Sequence, residues 1–320
     1  MVIPQRHPAR RRPPGGAAVL VALALVAAAL AGCAEERDDA SLTRGLLILS
    51  GDVGDVSLTV REGPATRGRA IALPDPATSW VSAGRTNVLL ATLVDGRTFV
   101  SSSLGADEPA WRLVESVTID DVPPEPPLYY GAWDPPGGAY AQLGADFAAG
   151  TDLRVVVTDP ALEGSTVAPL EGARPVPAPP AWIDDDRVVV VTATIDTNGT
   201  VIVDTTSGDA TAGPPGPRLV ATSADATRVA VWHGGRSPIE VLATDAWLDG
   251  QTASIRIDPP EVGWAPAVLA LDGPGDRLAV AWTDEGAPAG VTVYAAVREW
   301  AAIASLDLAD VEAASVAWLR

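Results

Sequence analysis

With 41 acidic residues, 22 arginines and no lysine, the 320-residue chain carries a formal charge of −19, which argues against nucleic acid or an anionic lipid surface as its main partner. It holds one cysteine, Cys33, and two histidines, His7 and His233. Disulfides, CxxCH haem attachment, cysteine-liganded iron–sulfur clusters, structural Cys/His zinc sites and lysine Schiff bases therefore all lack their residues, and we expect neither cofactor nor resident metal.

The chain opens on a basic stretch containing Arg6, Arg10, Arg11 and Arg12, followed by an apolar run from Ala17 to Ala31 that is too short for a convincing membrane span. Leu30-Ala31-Gly32-Cys33 closes that run and resembles the lipobox of bacterial lipoproteins. The resemblance implies cleavage before Cys33 and acylation of its thiol, with residues 1–32 as the signal peptide. Pro13-Pro14-Gly15-Gly16 follows the arginine pair where the rest of a twin-arginine motif would stand, so general secretion is the expected route. Cleavage removes four arginines and no acid, taking the formal charge to −23. Each buried methylene of an acyl chain contributes about 0.8 kcal/mol, so two or three chains hold a protein durably at a membrane surface. Residues 33–45, with Glu35-Glu36-Arg37-Asp38-Asp39, read as the acylated terminus and a polar tether.

From Leu46 onward short apolar runs alternate with turn residues, and no long 3.6-residue period appears, which is the pattern of an all-β domain spanning residues 46–320. Val88 to Val94 and Arg97 to Val100 flank Asp95-Gly96, while Arg187 to Thr194 and Val201 to Val203 flank Asn198-Gly199. Both pairs read as hairpins whose turns favour positive φ. Asp196-Thr197-Asn198-Gly199 lacks the ligand spacing and terminal glutamate of an EF-hand loop, so it reads as a hairpin turn and not as a calcium site.

The hairpins recur. Units open at Trp80, Trp133, Trp182, Thr222, Leu271 and Trp318, a mean spacing of about 48 residues, and a repeat of that length with four short strands indicates a β-propeller blade. Thr222-Ser223-Ala224-Asp225-Ala226-Thr227-Arg228-Val229-Ala230 resembles the Trp-Ser-Pro-Asp-Gly-Arg-Leu-Ala pattern of WD40-like and TolB-type propeller repeats, with threonine in place of the tryptophan. Gly105 to Trp111 resembles a worn Ser-x-Asp-x-Gly-x-x-Trp turn of sialidase-like propellers, a structural turn even there. The proline stretches 121–127 and 175–179 read as loops between blades. Trp318 opens a sixth repeat two residues before Arg320, and Leu46–Leu49, Val56–Val60 and Arg69–Leu73 precede the first complete repeat. One six-bladed propeller is expected, its last blade combining the C-terminal strand with three N-terminal ones.

Trp80, Trp133, Trp182 and Trp318 are read as packing between blades, since wedge-shaped sheets need large rings to bury. No catalytic, cofactor-binding or metal-binding residue emerges. His233, beside Trp232 and Gly234, reads as a strand-edge or turn residue, and Asp184-Asp185-Asp186 as a solvated turn. The expected function is non-enzymatic: a lipid-anchored extracytoplasmic lipoprotein of the cell membrane that binds a protein or glycan partner or supports an envelope complex. The alternative is a lipid-anchored hydrolase or lyase acting on extracellular polysaccharide, which would need two or more acids and an arginine converging in the central funnel. Mass spectrometry of the membrane-associated protein is expected to find a lipid-modified terminus at Cys33 and no residue preceding it. Recovery of an unmodified Cys33 peptide, or equal release of wild type and Cys33→Ala into the medium, removes the anchor.

Overall fold

In each repeat one short strand enters beside the molecular axis and the next three step outward from it. A computed structural model describes residues 42–52, 55–61, 68–84, 87–104, 108–114, 128–159, 164–193, 197–307 and 313–319. Residues 1–32 and Cys33 lie outside them, as do the proline stretch 121–127 and Gly105 to Asp107 of the sialidase-like turn.

Among the described residues six antiparallel sheets form the blades. Blade 1 is β4 (Thr78–Ala83), β5 (Leu89–Leu93), β6 (Thr98–Ser101) and β7 (Trp111–Val114); blade 2 is β8 (Leu128–Trp133), β9 (Tyr140–Asp146), β10 (Thr151–Asp159) and β11 (Gly164–Pro169). Blade 3 pairs both β12 (Arg174–Pro175) and β13 (Ala181–Trp182) with β14 (Arg187–Ala193), followed by β15 (Asn198–Asp204) and β16 (Ala210–Ala212). Blade 4 is β17 (Leu219–Thr222), β18 (Arg228–Trp232), β19 (Ile239–Ala243) and β20 (Ile255–Ile257), with a short helix α1 (Thr244–Leu248) before β20; blade 5 is β21 (Trp264–Leu271), β22 (Arg277–Asp284), β23 (Ala287–Ala295) and β24 (Ala301–Asp307). Blade 6 takes its inner strand β25 (Ala313–Trp318) from the C-terminal end and β1 (Leu46–Asp52), β2 (Asp55–Val60) and β3 (Arg69–Ile71) from the N-terminal side. The shared-blade closure is therefore present, with Leu46 opposite Trp318 and Ile48 opposite Val316.

Alternation builds the core. Successive side chains of a strand face opposite sides of its sheet, and a blade is buried on both sides, so its central strands carry apolar residues on both faces. In β1, Leu46 and Ile48 pack with Ala279, Ala281, Val291 and Val293 of blade 5, while Leu47 and Leu49 pack with Val81, Ala83, Leu89 and Ala91 of blade 1. In β14, Val188 and Val190 face blade 2 and Val189 and Val191 face blade 4. Polar contacts also cross between blades: Gln142, 1% exposed, donates from Nε2 to the hydroxyls of Thr92 (3.2 Å) and Thr98 (2.9 Å) of blade 1.

Three local expectations need correction. Trp80 does not hold the place of Trp133, Trp182 and Trp318. Those three pair with the first or second residue of the next strand (Tyr140, Val188 and Leu46), and the residue that does so in blade 1 is Ala83, opposite Leu89. The Asn198-Gly199 pair is not the turn of its hairpin, because both residues lie in β15 opposite Ala193 and Thr192, which moves the connection to 194–197. Finally, Pro175 to Pro179 interrupts the inner strand of blade 3 instead of separating blades: Arg174–Pro175 and Ala181–Trp182 pair with the same strand. Prolines lack the N–H that a continuous ladder needs, so the chain detours there.

The closure is clasped by one side chain. Arg277, at the head of β22, donates from Nε to Asp272 Oδ2 at 2.6 Å and from Nη1 to the carbonyls of Leu42 (3.0 Å) and Arg44 (3.1 Å), and its guanidinium lies 4.3 Å from the centre of the Trp318 ring. Leu42 and Thr43, assigned from the sequence to the tether, are buried against the propeller. Truncating Trp318, which is 4% exposed, to alanine is expected to cost about 3–5 kcal/mol, and Arg277→Ala about 1.5–3 kcal/mol. Urea unfolding of lipid-free protein measures both. Ending the chain at Ala314 is expected to lower the midpoint and to expose the amides of residues 46–60 to hydrogen exchange. An unchanged midpoint with unchanged protection would mean that β25 contributes nothing to closure.

Candidate functional site

The inner strands β4, β8, β13, β17, β21 and β25 converge on one axial cavity of about 100 Å³. Each runs from a leading face, where the connection from the preceding blade arrives, to a trailing face, where it turns into the second strand of its own blade. On the leading face lie those incoming connections, such as 72–77 and 258–263, and the second-to-third-strand turns at Asp95-Gly96, Phe147 to Gly150, His233 to Pro238 and Glu285-Gly286. The trailing face carries the first-to-second-strand turns at Asp134 to Ala139, Asp184 to Asp186, Ser223 to Thr227 and Asp272 to Asp276, together with α1.

Small residues at matching positions, Ser82, Ala132, Ala181, Ala221, Ala270 and Ala317, let six strands approach the axis, and rings fill the corners between them. Trp182 of blade 3 donates its indole N–H to Ala132 O of blade 2 at 2.9 Å, and Trp318 of blade 6 donates to Ala270 O of blade 5 at 2.9 Å. Trp133 also packs backward: a Cβ placed on Gly84 of blade 1 would stand 2.8 Å from its ring, which requires glycine there. Trp80 points the other way and donates to Gly131 O of blade 2 at 2.9 Å. It sits three residues before the matching place at Ala83, and an odd offset puts its side chain on the opposite side of the sheet. Trp111, in the outer strand of blade 1, donates to Ala72 O, just past β3 of blade 6, at 2.8 Å.

An aromatic cluster lies toward the leading mouth. Trp80 and Tyr130 meet edge to face at 5.5 Å, and Phe147 stands at 5.1 Å from Tyr129 and 6.1 Å from Tyr130. Tyr130 adopts φ +47° at the bulge of β8, a left-handed conformation that costs a bulky residue on the order of 1–3 kcal/mol and is held by this packing. Burial raises its phenol above the ordinary tyrosine value. Tyr129, Tyr130 and Phe147 remain partly exposed.

Among the described residues the cavity lining contains Ser82 and Thr222 as polar side chains and no Asp, Glu, Arg or His. Among the described residues no group of three or more His, Cys, Asp or Glu could hold a metal ion. The acidic run at 184–186 forms a turn: Asp184 accepts from the amides of Asp186 (3.0 Å) and Arg187 (2.7 Å) and from Arg187 Nε at 2.6 Å. His233 lies 3.9 Å from Glu240, which also pairs with Arg256 at 3.3 Å.

What the sequence reading missed is a line of arginines on the trailing face. Arg187, Arg228 and Arg277 each stand at the head of the second strand of blades 3, 4 and 5. Arg228 reaches forward to Gly275 O (3.2 Å) and Asp276 (3.2 Å) of blade 5, and Arg277 reaches forward to blade 6. Gly275, at φ +71°, has Arg228 Cβ 2.9 Å from where its own Cβ would be. The available signal was an aspartate three to five residues before the arginine in each unit.

No protein-family model matches the chain, and no curated protein sequence matches it. Among solved structures it is similar to a chain of the nidogen/laminin complex, at TM-score 0.59 and 11% identity over 85% of this chain and 98% of that one. It is also similar to TolB from Acinetobacter baumannii, at TM-score 0.58 and 9% identity over 85% of this chain and 66% of that one, and to a TolB-type protein from Agrobacterium tumefaciens, at 0.54 and 12% over 86% and 98%.

Burial pushes the phenols of Tyr140, edge to face with Trp133 at 5.3 Å, and of Tyr294 up to about 12. Their folded pKa values lie above the unfolded value near 10, so their contribution is fully present below pH ~10 and is lost as pH rises toward ~12, by up to about 2–3 kcal/mol each. Urea midpoints measured across that window are expected to fall, and to fall less in Tyr140→Phe and Tyr294→Phe. A decline equally steep in both variants would assign the alkaline loss to other groups. At these sequence identities the structural likenesses carry the fold alone: the chain is a six-bladed β-propeller, similar in fold to the two TolB structures.

Proposed function

We propose that this chain is a lipid-anchored extracytoplasmic binding or scaffold protein, held at the cell membrane through acylated Cys33 and engaging a protein or glycan through the leading face of its propeller. The anchor rests on the Leu30-Ala31-Gly32-Cys33 box after its apolar run. The observation that carries the binding reading is the contrast between the axis and its mouth. The cavity is lined by backbone, small residues and tryptophans without an ionisable side chain, while partly exposed Tyr129, Tyr130 and Phe147 cluster at the leading mouth. Aromatic rings that are rigidly held and partly exposed are strong contact groups for a protein or glycan surface. The polysaccharide hydrolase alternative needs acids and an arginine facing the funnel, and the lining supplies neither.

The test places a photo-crosslinking residue at Phe147 or Tyr129, and separately at Leu113 on the outer strand of blade 1, in the protein on its own membrane. The same adduct is expected from both leading-face positions and not from Leu113. Equal labelling from all three positions, or none from any, would sink the reading. Release of sugar fragments from envelope polysaccharide by the purified protein would favour the hydrolase.

A further inference from the structure

The geometry points to a fixed orientation of the anchored protein: the trailing face lies toward the membrane and the leading face, with its aromatic cluster, is turned away from it. This rests on the anchor at Cys33 and goes beyond it, since an anchor alone leaves either face free to lie down. Three observations combine. Leu42 is pinned at the trailing face, where Arg277, itself bonded to Asp272 of the first-to-second-strand turn of blade 5, holds the carbonyls of Leu42 and Arg44. Leu42 and Thr43 are buried, so the chain is held to the propeller at least as far back as Leu42 and not only from β1 onward. Nine residue steps separate Cys33 from Leu42, and at 3.3–3.6 Å per step even a fully extended tether spans about 30–32 Å at most.

That span can be compared with the path needed for the reverse orientation. To bring the leading face against the membrane, the tether must pass outward over β2 and β3, the two strands beyond β1 in the blade 6 order β25-β1-β2-β3, and then along the full height of a blade. Two strand spacings come to about 10 Å, and the six-residue β2 of blade 6 to about 20 Å. The sum, about 30 Å before any clearance for headgroups, takes up the whole of that reach and leaves the tether no slack. With the trailing face down, the tether has no such path to travel. The orientation also places Val262, 91% exposed on the leading face, and the Tyr129, Tyr130 and Phe147 cluster where a partner outside the membrane can meet them.

The experiment uses the full acylated chain in liposomes carrying a headgroup energy acceptor. Single thiols at exposed positions carry the donor: Asp185→Cys and Asp209→Cys on the trailing face, Val262→Cys and Arg236→Cys on the leading face. Transfer is expected to be at least about twofold greater from both trailing-face positions than from both leading-face ones. Equal transfer from the two faces, or greater transfer from Val262 and Arg236, overturns the orientation while leaving the anchor standing. Protein that does not sediment with the liposomes, behaving like its Cys33→Ala variant, overturns the anchor and the orientation with it. Two positions on each face keep the result independent of any one substitution that perturbs its turn.

Discussion

The guanidinium of Arg277 is the point on which the ring depends, because it reaches both ends of the fold, the carbonyls of Leu42 and Arg44 on one side and the ring of Trp318 on the other. A propeller whose last blade is shared has no covalent link across its seam. The six register pairs between β1 and β25 supply the ladder, but each pair is worth little by itself in water. Arg277 adds charge-assisted bonds to the carbonyls of Leu42 and Arg44 and a cation–π contact with Trp318, from a residue that belongs to neither strand of the seam. Its own position is fixed by Asp272, 2% exposed in side chain, at 2.6 Å. The clasp is therefore built by blade 5, outside both strands of the seam that it holds.

Arg228 repeats the device one blade earlier, reaching Gly275 and Asp276. The tryptophans run in the opposite sense: Trp182 and Trp318 reach back to the preceding blade while Arg228 and Arg277 reach forward to the next. Blades 5 and 6 are thus tied from both sides of their interface, by Trp318 near the axis and by Arg277 at the trailing turn. Such reciprocal ties suit a repeat architecture, in which stability is a sum of blade terms and nearest-neighbour terms.

Much of this was legible in the sequence because blade length and turn chemistry are written locally. The 40–50-residue recurrence gave the fold, and Trp318 so near Arg320 gave the shared blade. The Asp95-Gly96 hairpin was readable because Gly96 takes φ +86° in the turn. The misreadings have a common cause, which is that register is a pairing property. Trp80 looks like its counterparts by residue type, yet only its partner Thr92 shows it to be three places early and on the other side of the sheet. Asn198-Gly199 carries turn chemistry but is drawn into β15 by its partners Ala193 and Thr192. The arginine line went unread because its meaning lies between blades: nothing within one repeat distinguishes Arg187, which folds back on Asp184 of its own turn, from Arg277, which closes the ring.

The position of the tether within blade 6 has a mechanical consequence. Any pull transmitted from a membrane anchor enters the fold at Leu42 and loads β1. That strand is not an edge: it is paired with β25 on one side and β2 on the other, so tension along it must shear two ladders together instead of unzipping one. Leu46 and Leu47, at the loaded end, are each 1% exposed or less and lie on opposite faces of the sheet, so the same pull would drag apolar side chains out of both interfaces of the blade. Arg277 stands before all of this, holding Leu42 and Arg44 on the side from which the load arrives. A closing strand that took its anchor from the C-terminal end would load β25, which pairs with one strand only and would peel from the axis. With the proposed anchor at Cys33, supplying three strands from the N-terminal side and one from the C-terminal side puts the best-supported strand of the shared blade in line with the tether.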